Sequence, residues 1–229
     1  LTEILENGSV EVYHIEERRT SLCIPLQEVY SNLERNGLLN EKSLISRYYG
    51  GVYFLFCLAV WIDMILEVIN EHVAQDKRDL YLAALLSTAS DIVDTVGKHF
   101  AQPIKARDSK GNIKKTVYNK AVKDKTIGVL DLYKEWFFRY LTLPRSEHDY
   151  CAMQGDYLEC LRRLPNTVRT VYADPPYTRD HYSRFYHVLE TITLRDSPEL
   201  STTNIHGETH ISNGIYRKDR HQSPFCIKS

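Results

Sequence analysis

The sequence predicts an α/β fold in which a long, mainly helical stretch precedes a compact strand–helix–strand unit. Apolar residues recur at helical spacing in four blocks before residue 142. Between residues 150 and 173, two strand-forming runs flank one helix-patterned run, the order of a βαβ unit with a parallel sheet. Gly37, Gly50-Gly51, Gly97, Pro144, Gly155 and Pro165-Asn166 fall between the blocks, where breakers belong.

The elements follow in order. Residues 1–37 are rich in Glu, with Leu26, Val29, Tyr30 and Leu33 at helical spacing, so solvated helices ending at Gly37 are expected. Gly50-Gly51 reads as a turn, or as a place where backbone approaches a ligand closely. Leu58, Ile62, Ile65, Leu66 and Ile69 define a helix with a broad buried face. A second helix is expected over 79–96, with Leu82, Leu85, Leu86, Ala89, Ile92, Val93 and Val96 inward and Gly97 as its stop. A third spans 131–141, anchored by Trp136, Phe137 and Tyr140 and closed by Pro144. The boundary between a helical region, 1–147, and the α/β region, 148–229, falls in the polar run that follows.

In the second region, Tyr150 to Gln154 and Val168 to Ala173 are the expected strands. Tyr157 to Leu164 is the helix between them, with Leu158, Leu161 and Leu164 inward. Ligands of parallel sheets sit beyond the carboxyl ends of the strands, and both Asp156 and Asp174 fall there. A last helix places Phe185, Val188, Leu189 and Ile192 on its apolar face and Arg184, His187 and Glu190 on others. Residues 197–214 read as a polar, mobile loop, and residues 216–221 are basic.

At 229 residues, 43% hydrophobic and 26% charged, the chain has the composition of a globular protein with one large domain or two small ones. The five cysteines are odd in number and include no C-x-x-C pair, which argues for reduced thiols and a cytoplasmic location. The longest apolar run, Val52 to Ile62, is too short for a bilayer, and no signal peptide is visible. His206 and His210 lack a helical setting and a third ligand, so no metal is expected.

The net charge of −1 implies nothing about nucleic acid, but its distribution does. Residues 98–125 hold nine Lys and Arg (Lys98, Lys105, Arg107, Lys110, Lys114, Lys115, Lys120, Lys123 and Lys125) against Asp108 and Asp124. Arg107 to Asn112 is turn chemistry, suited to the tip of a hairpin. Such clustering marks a phosphate-binding surface, weighed against a solvated loop of chance basic bias.

The stretch Asp174-Pro175-Pro176-Tyr177, at the exit of the second strand, carries the most specific chemistry. A carboxylate accepts a hydrogen bond from an exocyclic amine, prolines fix the backbone carbonyls, and an aromatic ring stacks on a flat heterocycle. The bland alternative is a Pro-Pro turn that ends a strand.

Gln154-Gly155-Asp156-Tyr157-Leu158-Glu159, followed by a helix and Val171-Tyr172-Ala173-Asp174-Pro175-Pro176-Tyr177, resembles the amino-methyltransferases that use S-adenosylmethionine. His181 to His187, Arg47 to Phe54, Thr95 to Ile104 and Tyr216 to Phe225 resemble the adenine-specific DNA methylases of restriction–modification systems. The likeness covers roughly residues 44–229, and its Asp-Pro-Pro-Tyr element is the one diagnostic of chemistry. It implies part of a Rossmann-like methyltransferase domain with a mainly helical DNA-recognition region. It implies S-adenosylmethionine as cofactor, double-stranded DNA as substrate and a cognate restriction endonuclease as partner. Asp174 and the Pro175 carbonyl would hold the 6-amino group of adenine, beside Pro176. Tyr177 would stack on the base once it leaves the duplex, and Asp156 would bond the adenine of the cofactor. Lys98, Lys105, Arg107, Lys110, Lys114, Lys115, Arg179 and Arg184 are the candidate DNA contacts. His181 and His187, flanking the motif, are candidates for phosphate contact or for structure.

The chain departs from the family at two points. It holds no G-x-G, the family's Gly-rich cofactor loop, and Leu55-Phe56-Cys57-Leu58 stands where the family is polar, which favours core packing there. In related methylases that loop lies upstream, so a fragment of a longer protein is expected. Two other readings stay open: the same chemistry on the cytosine 4-amino group or on RNA, and a DNA-binding remnant without catalysis.

Overall fold

The computed structural model describes residues 42–144, 146–174 and 181–221. The helices expected over residues 1–37 lie outside them. Helix α1 (Leu44–Tyr49) and the 17-residue helix α2 (Phe56–His72) form the centre of the molecule. Ala59, Ile62 and Ile65 of α2 are wholly buried, and Leu58, Leu66 and Ile69 nearly so. Phe56 and Leu58, in the run where apolar residues favoured packing, are core residues. The apolar face is wide because α2 packs against neighbours on several sides. At its carboxyl end the Arg78 side chain donates to the carbonyls of Asn70, at 2.8 Å, and Val73, at 3.0 Å, satisfying groups that a helix end leaves open.

Asp63 interrupts the apolar run without leaving the core. Its carboxylate accepts from the backbone N–H groups of Ile45 (2.7 Å) and Ser46 (2.8 Å) and from the Ser46 hydroxyl (2.6 Å). It therefore caps α1 from a neighbouring helix, where no side chain of the Ser43 N-cap does so. Burial pushes the Asp63 carboxyl up to about 7, against the three hydrogen bonds that pull it down.

Between α1 and α2 the chain turns at Gly50-Gly51. A Cβ on Gly50 would lie 2.5 Å from the Ser46 carbonyl oxygen and 2.7 Å from the Phe56 ring, and Gly51 has φ +76°. The pair makes the turn and permits close packing of the chain on itself.

Helix α3 (Arg78–Ile92) packs on α2 through Ala84, Leu85, Ala89 and Ile92, the small residues allowing close approach. It ends four residues earlier than its apolar pattern predicts. Val93 turns extended, and the Asp94 N–H donates instead to the Tyr53 carbonyl at 2.7 Å. A tertiary hydrogen bond thus replaces a last helical turn. Helix α4 (Lys115–Asp124) follows the basic loop, and α5 (Val129–Leu141) lies against α3. The α5 anchors meet their expected use: Trp136 Nε1 donates to Asp91 at 2.7 Å, and Tyr140 shares a 2.7 Å bond with Ser87.

The second region differs from its expectation. The short helix α6 (Tyr157–Arg162) ends two residues before its predicted stop, with Leu158 and Leu161, expected inward, exposed instead, and residues 150–154 and 168–173 run without strand pairing and exposed. Tyr150 is 84% and Tyr172 90% accessible. A parallel strand needs hydrogen-bonded neighbours and cover on both faces, and the described residues supply neither here. They hold a mixed helical and small-sheet structure. The sheet is instead a hairpin of β1 (Thr202–Ile205) and β2 (Glu208–Ile211), in the stretch expected to be a mobile loop. His206 and Gly207, both with positive φ, make its two-residue turn, and Thr-Asn-Ile and Thr-His-Ile supply the alternating flanks.

Helix α7 (Ser183–Leu194) returns to the helical core, where Val188 and Ile192 are fully buried beside α1 and α3. Residues from either side of position 147 thus share one core.

Candidate functional site

Of the Asp-Pro-Pro-Tyr motif, Asp174 is described, exposed, at the end of the irregular run 168–174. Pro175, Pro176, Tyr177 and Arg179 lie outside the described residues. Asp156 is the N-cap of α6, its Oδ1 accepting from the Leu158 N–H at 2.9 Å. One of its oxygens is thus engaged locally. The side chain remains exposed, and the residues around it are exposed too. An accessible carboxylate suits the bonding of an adenine amine, but no enclosing wall stands around it among the described residues.

Just past the motif, α7 is clamped by a buried polar network that the sequence reading missed. His187, placed by that reading on a face apart from the apolar stripe, is instead fully buried. The rings of Tyr49, Tyr53 and Tyr216 meet it edge-on with centroids 5.6, 5.4 and 5.1 Å away. Its Nδ1 lies 3.0 Å from the Arg184 carbonyl. Burial holds the imidazole down at about 4, so it is neutral at physiological pH. This is a structural histidine, closed to phosphate.

One turn on, the Thr191 hydroxyl donates to the His187 carbonyl at 2.8 Å and accepts from Arg217 at 3.1 Å. Its remaining lone pair makes Tyr49 the donor in the 3.0 Å Tyr49–Thr191 bond. Burial pushes the Tyr49 phenol up to about 12. Arg217 is buried and grips Asp196 with both terminal nitrogens, the first at 2.7 Å, which holds that carboxyl below its usual range. Tyr53 donates to the Gly214 carbonyl at 2.8 Å. The sequence signal for this network was the spacing of Tyr49 from Tyr53 and of His187 from Thr191, four residues each, beside known apolar positions.

The basic segment is ordered at its tip by local hydrogen bonds. Residues 107 and 113 pair as an antiparallel bridge, closing the expected hairpin tip. Asp108 Oδ1 accepts from the N–H groups of Lys110 and Asn112, both at 2.9 Å, and Gly111 has φ +83°. Arg107 donates to the Gly111 carbonyl at 2.7 Å. Lys98, Lys105, Arg107, Lys110, Lys114 and Lys115 are all exposed. Helix α4 begins at Lys115 with no acidic residue in its first turn, so its positive dipole end adds to the lysines. Lys120 differs: it is ion-paired with Asp94, at 3.1 Å, and with Asp124. Arg184 is exposed on α7, its guanidinium 5.4 Å from the centre of the Tyr216 ring.

Among the described residues no His, Cys, Asp or Glu cluster has the arrangement to hold a metal ion, and no helix is long and apolar enough to cross a membrane.

No protein-family model matches the chain, and no solved structure matches it significantly. A 68-residue stretch is 37% identical to Modification methylase LlaI of Lactococcus lactis subsp. lactis. That stretch is 27% of this chain and 11% of that protein, so the similarity is partial and weak.

Proposed function

We propose that this chain belongs to a site-specific DNA methyltransferase acting on the exocyclic 6-amino group of adenine, within a restriction–modification system of the cytoplasm. The observation that carries the reading is Asp174-Pro175-Pro176-Tyr177, in a chain whose curated similarity is to a modification methylase. S-adenosylmethionine, when bound, supplies the electrophilic methyl group. Asp174 and the Pro175 carbonyl accept the two amine hydrogens, which orients the nitrogen lone pair and raises its electron density. Pro176 fixes the backbone, and Tyr177 stacks on the extruded base. Asp156 would hold the cofactor by a hydrogen bond to its adenine. Orientation and electrostatics carry the reaction, and no covalent enzyme intermediate is needed.

In this reading, residues 148–229 contribute to a Rossmann-like catalytic domain and residues 1–147 to DNA recognition. Lys98, Lys105, Arg107, Lys110, Lys114, Lys115, Arg179 and Arg184 contact the phosphates, and a cognate endonuclease acts on the same duplex. The test is methyl transfer to duplex DNA by the wild type and by Asp174→Ala, with mass analysis of the product nucleosides. Loss of N6-methyladenine in a folded variant supports the assignment; undiminished transfer overturns it. Methylation of cytosine or of RNA instead would redirect it to those substrates.

A second reading is DNA binding without catalysis. The exposure of Asp156, with no enclosing wall among the described residues, favours it. Calorimetry separates the two: no heat with S-adenosylmethionine alongside salt-dependent DNA binding selects the second.

A further inference from the structure

A shallow slot opens at the base of the basic hairpin. Its volume is about 30 Å³, room for an amino or methyl group and not for a whole ring. Gly51, Val52, Ile104, Ala106 and Val117 line it together with Asp94. The walls are apolar apart from this one acid. Asp94 is held in place from two sides, through its N–H on the Tyr53 carbonyl at 2.7 Å and through its carboxylate on Lys120 at 3.1 Å.

Two of the candidate phosphate-binding residues, Lys105 and Arg107, flank one wall of the slot in the chain. Ala106 sits between the exposed Lys105 and Arg107, and its carbonyl accepts from the Lys114 N–H at 2.9 Å. Ala106 is half-buried and its two neighbours are exposed, the alternation of an extended strand. A duplex contacting these cations would lie beside the slot.

We propose that this slot recognises, at one position of duplex DNA, a base edge bearing an exocyclic amine, with Asp94 as the acceptor; the proposal rests on the reading of DNA as substrate. In the major groove, adenine and cytosine present an amine, whereas guanine and thymine present a carbonyl oxygen at the corresponding place. A carboxylate accepts and cannot donate, so it bonds the first pair and repels the second. Apolar walls sharpen the choice, because a mismatched polar group there loses water without gaining a partner. The site is separate from Asp174 and contributes to sequence selection, not to methyl transfer.

The test is selection of bound duplexes from a random-sequence pool by the full chain, at one fixed salt concentration, followed by sequencing. Wild type, Asp94→Asn and Ala106→Leu are compared, the last obstructing the slot while keeping the carboxylate. The expected wild-type result is one position where adenine or cytosine is preferred over guanine or thymine by about 10-fold or more. Asn both accepts and donates, so Asp94→Asn should reduce that preference to near parity, and Ala106→Leu should reduce it too. No amino-over-keto preference in the wild type overturns the proposal, as does absence of DNA binding. An unchanged preference in both variants, with affinity lowered evenly across sequences, marks Asp94 as structural and overturns it as well. A preference that behaves as expected in a protein with no methyl transfer leaves the slot assigned and rejects the methyltransferase reading alone.

Discussion

Two regions of this chain are similarly apolar in pattern and opposite in outcome. Ile62 and Ile65 of α2 are wholly buried, whereas Val171 and Tyr172, in an equally strand-apt run, are 57% and 90% accessible. A helix closes its backbone hydrogen bonds within itself, so it needs only packing partners, and α1, α3 and α5 supply them. A parallel strand must borrow every backbone partner from another segment. The helices therefore satisfy their own backbones, and the extended run 168–173 does not.

The comparison can be broken or sharpened by experiment. The largest effect is expected in the open region, on activity: if the methyltransferase reading holds, Asp174→Ala should cut methyl transfer at least about 10²-fold. Its thermal unfolding curve should not move, since the side chain is exposed. A coincident loss of stability would show that Asp174 is structural. Next, Ile65→Ala should destabilise the protein by about 2–5 kcal/mol in urea unfolding, through lost burial and a cavity. A shift under about 1 kcal/mol would mean that the α2 core is loosely packed.

A pH titration probes the helical region from within. Asp63 lies at about 7, above its ordinary 3.8, so its contribution to stability is full below pH 3.8 and lost as pH rises towards 7. His187 lies at about 4, below its ordinary 6.5, so its contribution is full above pH 6.5 and lost as pH falls towards 4. Between pH 4 and 6.5 the two oppose each other, and the wild-type stability profile should be shallow. Asp63→Asn should leave stability rising with pH across that window, and His187→Gln should leave it falling. Parallel profiles in the two variants would contradict both assignments. The smallest effect is expected at Val171→Ala, within about 0.5 kcal/mol of wild type, as for an exposed side chain. A larger loss would show that the run 168–173 is covered in solution.

Legibility in the sequence followed how local each interaction is. The helices over 58–69 and 131–141 could be read because their apolar stripes repeat within a few residues, and the hairpin tip at 107–112 because Asp108 and Gly111 meet their partners nearby. The β1–β2 hairpin was readable in principle, from His206-Gly207 between alternating residues, but its polar composition pointed to a loop. The motif at 174–177 was visible because its residue types are rare together. The network around His187 was not, since its partners Tyr49, Tyr53 and Tyr216 lie far away in the chain.

Residue order alone determined the helical blocks, the clustering of Lys and Arg over 98–125 and the Asp-Pro-Pro-Tyr motif, since each depends on neighbours within about a turn or on residue type. Tertiary structure decided the burial of Asp63 and His187, the early end of α3 and the slot beside Asp94. Each of these depends on a hydrogen bond, an ion pair or a packing contact between segments far apart in the chain. Charge and polarity in a sequence mark a group that must be satisfied, and only the packed fold brings its partner within 3 Å.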